Sequence, residues 1–389
     1  MKRLSWLFAS VLLSGCTGLA SKVDDIMSSS PESEGIKPAE LVDFAQEVQI
    51  TKLWSKSVLG DYQSVGGGLR PALASGVVYA ADSQGVVVAL DTNSGDSLWK
   101  VELGTPLGGG VGVGEELILV GGLEGDVYAL DIQTGEQRWV SRVSSEVLAA
   151  PATNDRIVVV QTQDGKVVGL NAIDGEKRWQ FELDVPVLTL RGTSPPVIVG
   201  NTVIVGFANG KVYALAADSG TMVWDNRVAI PQGRTELERL VDIDGQPLLV
   251  NDVIYAVSNQ GRIGAMSRGT GRGLWYQDSS SNHGPAYGLE QVYVAETDDK
   301  VKAMRASSGQ VLWTNDQLMY RKLNGPSVAG GYVVIGDAQG FLHVLSQTDG
   351  RFVGRTQVSG SGLSAPMISD GQVLYVLGNG GSISAYKFE

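Results

Sequence analysis

The stretch Leu117–Trp139, LILVGGLEGDVYALDIQTGEQRW, returns along the chain with its punctuation preserved. A glycine marks a first turn at Gly85, Gly125, Gly165, Gly210, Gly261 and Gly340. Ten residues after each stands another, at Gly95, Gly135, Gly175, Gly220, Gly271 and Gly350. Four residues further on comes Trp99, Trp139, Trp179, Trp224 or Trp275, and the rule breaks only at Gly354. One further copy carries Asp299, Gly309 and Trp313, and an eighth opens at Gly381. Successive Trp residues in this run lie 38 to 51 residues apart, the period of β-propeller blades.

Between the two glycines lie segments such as VVVALD, DVYALD, KVVGLN and KVYALA. Each alternates faces with period 2, as a strand does. The position before the last large apolar residue is small in nearly every copy: Ala89, Ala129, Gly169, Ala214, Ala265, Ala303 and Ala385, with Val344 the exception. A small side chain at a fixed place predicts close approach of neighbouring sheets. The Asp or Asn that follows (Asp91, Asp131, Asn171) suits an Asx turn, and the glycine four residues on suits positive φ. The Trp is expected to fill the space between adjacent blades.

The eighth copy lacks its last strand at the C-terminal end, and Lys52–Val58, KLWSKSV, supplies a blade-ending strand with Trp54 at the other. Pairing it beside Ser382–Phe388 closes the ring and removes exposed sheet edges. Residues 52–389 shared among eight units give about 42 residues each, within the blade range. The expected fold is therefore all-β: one eight-bladed propeller of four-stranded antiparallel blades, occupying residues 41–389.

The formal net charge of −12, with no block of Lys or Arg after the first three residues, argues against nucleic acid as partner. A single cysteine, Cys16, excludes an internal disulfide and any cysteine-built metal cage. Residues 1–15 read as a secretory signal: Lys2 and Arg3, the apolar run Leu4–Leu13, then small residues, too short to span a membrane. The sequence Leu13-Ser14-Gly15-Cys16 resembles the bacterial lipoprotein box. That resemblance implies cleavage before Cys16 and acylation of its thiol. Thr17, where an Asp would signal inner-membrane retention in this class, implies an outer-membrane, periplasm-facing, lipid-anchored chain. Residues 16–40 are then a lipidated cysteine and a Ser-, Asp-, Glu- and Pro-containing tether.

A repeat makes its exceptions visible. From Trp99 to Gly125 and from Trp139 to Gly165 is 26 residues, from Trp179 to Gly210 is 31, and from Trp224 to Gly261 is 37. The extra residues fall in two consecutive blade-to-blade connections, Leu183–Pro196 and Asn226–Pro247. Consecutive loops of a propeller share a face, so these two predict one composite surface on a rigid scaffold. Leu188, Leu190 and Arg191 in the first, and Asp242 and Asp244 in the second, are the candidate partner-binding residues, since Arg and apolar anchors suit interface centres. The alternative is internal: buried leucines, with Arg191 paired to Asp242 or Asp244. Thr235-Glu236-Leu237-Glu238 has the form of a capping box.

No catalytic pattern appears. His343 falls inside the strand Phe341–Leu345 at a variable position and reads as structural, and His283 sits in a loop with no evident partner. The triple glycines Gly66–Gly68 and Gly108–Gly110 lack the Lys, Ser or Thr that phosphate chemistry needs. They are expected before inner strands, in tight backbone packing near the ring axis. Catalytic residues, cofactors and metals are accordingly expected to be none.

The phrase Ala-Leu-Asp-x-x-Thr-Gly-x-x-x-Trp at Ala129–Trp139 resembles the repeat of pyrroloquinoline-quinone (PQQ) dehydrogenases, which are also eight-bladed propellers. The chain lacks their adjacent cysteine pair and any recognisable Ca²⁺ or catalytic-base context, so the shared fold does not carry the chemistry. With the lipoprotein box and the two stretched loops, the whole chain resembles the BamB family of outer-membrane β-barrel assembly lipoproteins. LTLRG (Leu188–Gly192) and Asp242-x-Asp244 look like that family's contact surface. The resemblance implies a non-enzymatic scaffold that binds the periplasmic POTRA domains of BamA, with contact to unfolded outer-membrane proteins as a further expectation. A PQQ-dependent dehydrogenase-like quinoprotein, or a propeller binding another envelope protein, are the alternatives.

Overall fold

The computed structural model describes residues 37–60, 68–184, 186 and 188–389. The expected signal, Cys16 and most of the expected tether lie outside the described residues. Ala39–Glu389 form one compact unit. Its strands make eight four-stranded antiparallel sheets, and no helix occurs among the described residues. In the second blade the strands run Leu107–Val113, Leu117–Gly122, Asp126–Asp131 and Gln137–Arg142, from the ring axis outwards. The eighth takes Ile368–Ser369, Val373–Leu377 and Ser382–Phe388 from one end of the chain and Ile50–Ser57 from the other. Trp54 faces Ala385 across this join, and the Ser384 hydroxyl donates to the Ser55 hydroxyl at 2.8 Å. The ring closes as the repeat predicts.

The middle strands are buried on both faces because a neighbouring blade covers each one, so their apolar runs do not alternate with polar residues. Outer strands do alternate, and their one consistently buried position is the Trp. The core is thus a series of layers between blades rather than one central mass.

Each Trp of the blades performs two tasks. Its ring lies against the second-turn glycine of the next blade: a Cβ on Gly135 would sit 2.7 Å from Trp99 Cε3, and Gly135 holds φ 73°. Its indole N–H donates to a carbonyl in that same turn. Trp99 reaches Ile132 at 3.0 Å, Trp139 reaches Ala172 at 2.8 Å, Trp179 reaches Ala217 at 2.8 Å, and Trp313 reaches Gln347 at 2.9 Å. A large ring is buried with its only polar atom satisfied. The small residue has a nearer cause than sheet approach. It stands directly opposite the Trp within the same blade, as Ala129 opposite Trp139, and a Cβ on Gly169 would come within 2.2 Å of the Trp179 ring.

The exception at Gly354 falls where this lock has no receiver. In the eighth blade Ser382–Phe388 pairs with Ile50–Ser57 from the other end of the chain, so no second turn joins these two strands to receive an indole. Val344 replaces the small residue opposite Gly354, Ile50 packs against Gly354, and Val48 is buried beside Val344 and Val353. Backbone N–H groups of Glu47 and Val48 donate to Val353 O at 2.8 and 3.0 Å. The entering chain thus replaces the Trp. Asp299, which holds the first-turn glycine position with φ 66°, uses its carboxylate to accept the N–H groups of Lys322 and Leu323, each at 2.8 Å.

In a four-stranded antiparallel blade, the connection to the next blade and the turn between the two middle strands emerge on one face. Both stretched loops therefore belong to that face, around the mouth of the axis.

Candidate interaction surface and axial funnel

The two stretched loops are joined to each other. The backbone N–H of Leu190 donates to Asp242 Oδ2 at 2.6 Å, and the Ser194 hydroxyl donates to Gly245 O at 3.2 Å. Gln163, in the third blade's middle turn, donates to Leu190 O at 3.3 Å. Asp242 is 1 % exposed, so it staples one loop to the other and presents no carboxylate to a partner. That corrects its expected place on the exposed surface. Burial pushes its carboxyl up to about 6 despite the Leu190 hydrogen bond. Asp244, half-buried on the funnel wall, is pushed to about 8 by desolvation first and by Asp242 second.

Arg191 is exposed and pairs with neither aspartate. Its guanidinium reaches Glu146, on the preceding connection, at 2.9 Å. Leu188 is 41 % exposed, and Leu190 is partly covered. The capping-box residues form a turn without a helix. Glu238 N–H donates to Thr235 Oγ1 at 3.2 Å, while Glu238 Oε2 accepts from the N–H groups of Arg234 and Thr235. This turn holds Leu237 outward, 64 % exposed, and Ile230 of the same loop is also exposed. Leu237, Ile230 and Glu146 were not singled out by spacing. Leu237 sits inside the capping box, whose reciprocal hydrogen bonds leave the intervening side chain facing water, so that motif carried its signal.

Gly108–Gly110 lie within the inner strand Leu107–Val113 rather than before it, and Gly68 alone of the first triplet is described. Tight packing holds: a Cβ on Gly109 would lie 2.3 Å from Ala149 O. His343 is fully buried, with Nε2 2.9 Å from Asp337 Oδ2 and Nδ1 accepting from Arg355 Nε at 3.1 Å. With Nδ1 accepting, the proton sits on Nε2, and the ring is a neutral structural link. His283 lines the axial funnel.

That funnel, a cavity of about 440 Å³, opens among Leu190, Arg191 and the prolines that precede the inner strands, including Pro71, Pro247 and Pro326. At its wall Arg70 Nη1 donates to Gln246 Oε1 at 2.6 Å. Arg70 enters the first blade and Gln246 the fifth, four blades apart in a ring of eight, so this bond crosses the axis.

A family model described as outer membrane protein assembly factor BamB matches residues 83–315 and 297–389. The BamB of Pseudomonas aeruginosa is 52% identical over 361 residues, covering 92% of this chain and 94% of that protein. The chain belongs to the BamB family. The crystal structure of the Moraxella catarrhalis member superposes with a TM-score of 0.80 at 29% identity, over 87% of this chain and all of that one. A quinohemoprotein alcohol dehydrogenase from Comamonas testosteroni shares the propeller alone, with a TM-score of 0.67 at 14% identity, over 87% of this chain and 76% of that one. The described residues of this chain's funnel do not fit a quinone with its calcium ion. Among the described residues Asp244 is the one carboxylate on the funnel wall, and burial raises its pKa to about 8. The sole cysteine of the chain is Cys16.

Proposed function

We propose that this chain is a scaffold lipoprotein of the outer-membrane β-barrel assembly machinery, anchored through Cys16, and that it docks the periplasmic POTRA domains of BamA. Family membership supports the assembly role. The docking surface is read from one observation: Leu188, Leu237, Ile230 and Arg191 are exposed on loops that a buried Asp242–Leu190 bond holds in fixed positions. Apolar anchors and an arginine on a preorganised surface lose little ordering entropy on binding. In this reading Leu188 and Arg191 touch the partner, Leu190 flanks them, and Asp242 keeps the loops in place. Asp244 lies at the edge of the funnel mouth.

A second contact, with unfolded outer-membrane chains, is favoured by the exposed apolar residues Leu98, Val223 and Leu274 on outer blade strands. The test of the docking reading is a pull-down from detergent-solubilised membranes with tagged wild type beside Arg191→Glu and Leu188→Glu. The wild type is expected to retain BamA and both variants to lose it. Retention by both variants would move the site to another face, and its absence with the wild type would sink the docking reading.

A further inference from the structure

The axial funnel is lined by an arginine, Arg70. Among the described residues no carboxylate forms an ion pair with Arg70, and its side-chain partner is the neutral amide of Gln246. Desolvation lowers the guanidinium's pKa, yet an arginine stays charged in proteins. A partly buried cation facing a neutral acceptor is electrostatically incomplete, because it has lost hydration and no anion among the described residues compensates. The surrounding wall has two further properties. It is largely apolar, built from proline rings with Leu248, Met367 and Ile368. Its described residues also add no fixed negative charge at neutral pH. Asp244 stays protonated through desolvation, His283 is kept neutral by the same cause, and Arg191 at the rim is already paired with Glu146.

We propose that the funnel is a binding site for a small carboxylate with an apolar body, its carboxylate on Arg70 and its body against the proline-lined wall. The volume is in the range of small-ligand sites, where a few placed polar groups orient a mostly apolar contact. The Arg70 fork can accept a carboxylate while keeping Gln246, because a guanidinium carries five N–H donors. Neutral Asp244 can donate a hydrogen bond to the same anion. Above pH 8 it ionises and opposes binding, with Asp242 behind it already ionised, while Arg70 and Arg191 keep their charge and His283 stays neutral. Affinity therefore falls as pH rises from 7 to 9.

The probe is 4-phenylbutyrate, compared with its neutral amide, titrated into the folded protein. Calorimetry gives the affinity, and the ¹³C-methyl signal of Met367 reports locally, since among the described residues it is the one methionine lining the funnel. The carboxylate is expected to bind at pH 6.5 and to shift Met367, with the amide and Arg70→Gln each weaker by ~10-fold or more. Arg70→Lys, which keeps the charge, should bind more tightly than Arg70→Gln and serves where the glutamine variant unfolds. Asp244→Asn should remove the decline between pH 7 and 9. Equal binding of acid and amide, unchanged binding by Arg70→Gln, no binding by wild type, or binding without a Met367 shift would each overturn the proposal.

Discussion

The third and fourth blades and the connections that follow them are joined twice, by opposite means. On one face Trp179 of the third blade sits on Gly220 and donates to Ala217 of the fourth. On the other face the connection between them is held by Leu190 N–H on the buried carboxylate of Asp242. The first contact recurs at the other Trp-bearing junctions, uses neutral groups and buries a large apolar ring. The second occurs once, rests on a titratable group and leaves its neighbours exposed. Repeated junctions supply stability that is indifferent to pH. The single loop contact supplies position, and its strength changes with protonation.

Breaking the first contact should have the largest effect. Trp179→Ala is expected to cost ~3–5 kcal/mol, read as a fall in the urea midpoint that is the same at pH 6 and pH 8. An effect below about 1 kcal/mol would show that the ring does not depend on this lock. Gly354→Trp restores the repeat at the one junction without a receiving turn. It should destabilise by ~1–3 kcal/mol through overpacking against Val344 and Ile50, and a stabilised variant would refute the account of that seam.

The loop side is sharpened by pH. Asp244 is protonated in the folded state up to about 8, whereas in an unfolded chain it ionises near 4. Its protonated form therefore stabilises the fold at low pH, and that contribution is lost as pH rises through 8. Asp244→Asn should gain on wild type progressively between pH 4 and 8, by at most ~1.4 kcal/mol per pH unit. Parallel stability curves would show that Asp244 is not desolvated. Arg191→Glu is expected to shift stability least, by ~1 kcal/mol or less, because it loses only an exposed ion pair. A large fall in its thermal midpoint would mean that the first loop is structural rather than a docking surface.

The architecture was legible because a propeller states its local rules many times. Gly135, Ala129 and Trp139 would be unremarkable alone. Repeated at fixed spacing they imply one strand register, and the missing eighth outer strand could be found at Trp54. The loops had no such redundancy. Spacing located them on one face, but it could not assign Arg191 to Glu146 rather than to Asp242 or Asp244. Those three acids differ in burial and direction, and neither has a periodicity. The same lack hid Arg70, whose significance depends on Gln246, 176 residues away.

The sequence by itself determined the all-β ring, its number of blades, its closure and the face on which the long loops emerge, because each follows from period and chain order. Tertiary structure alone decided which residues of those loops meet water, why Gly354 escapes the Trp rule, and that the first and fifth blades touch across the axis. Those outcomes depend on burial and on side-chain direction between distant segments, which spacing along one chain does not encode.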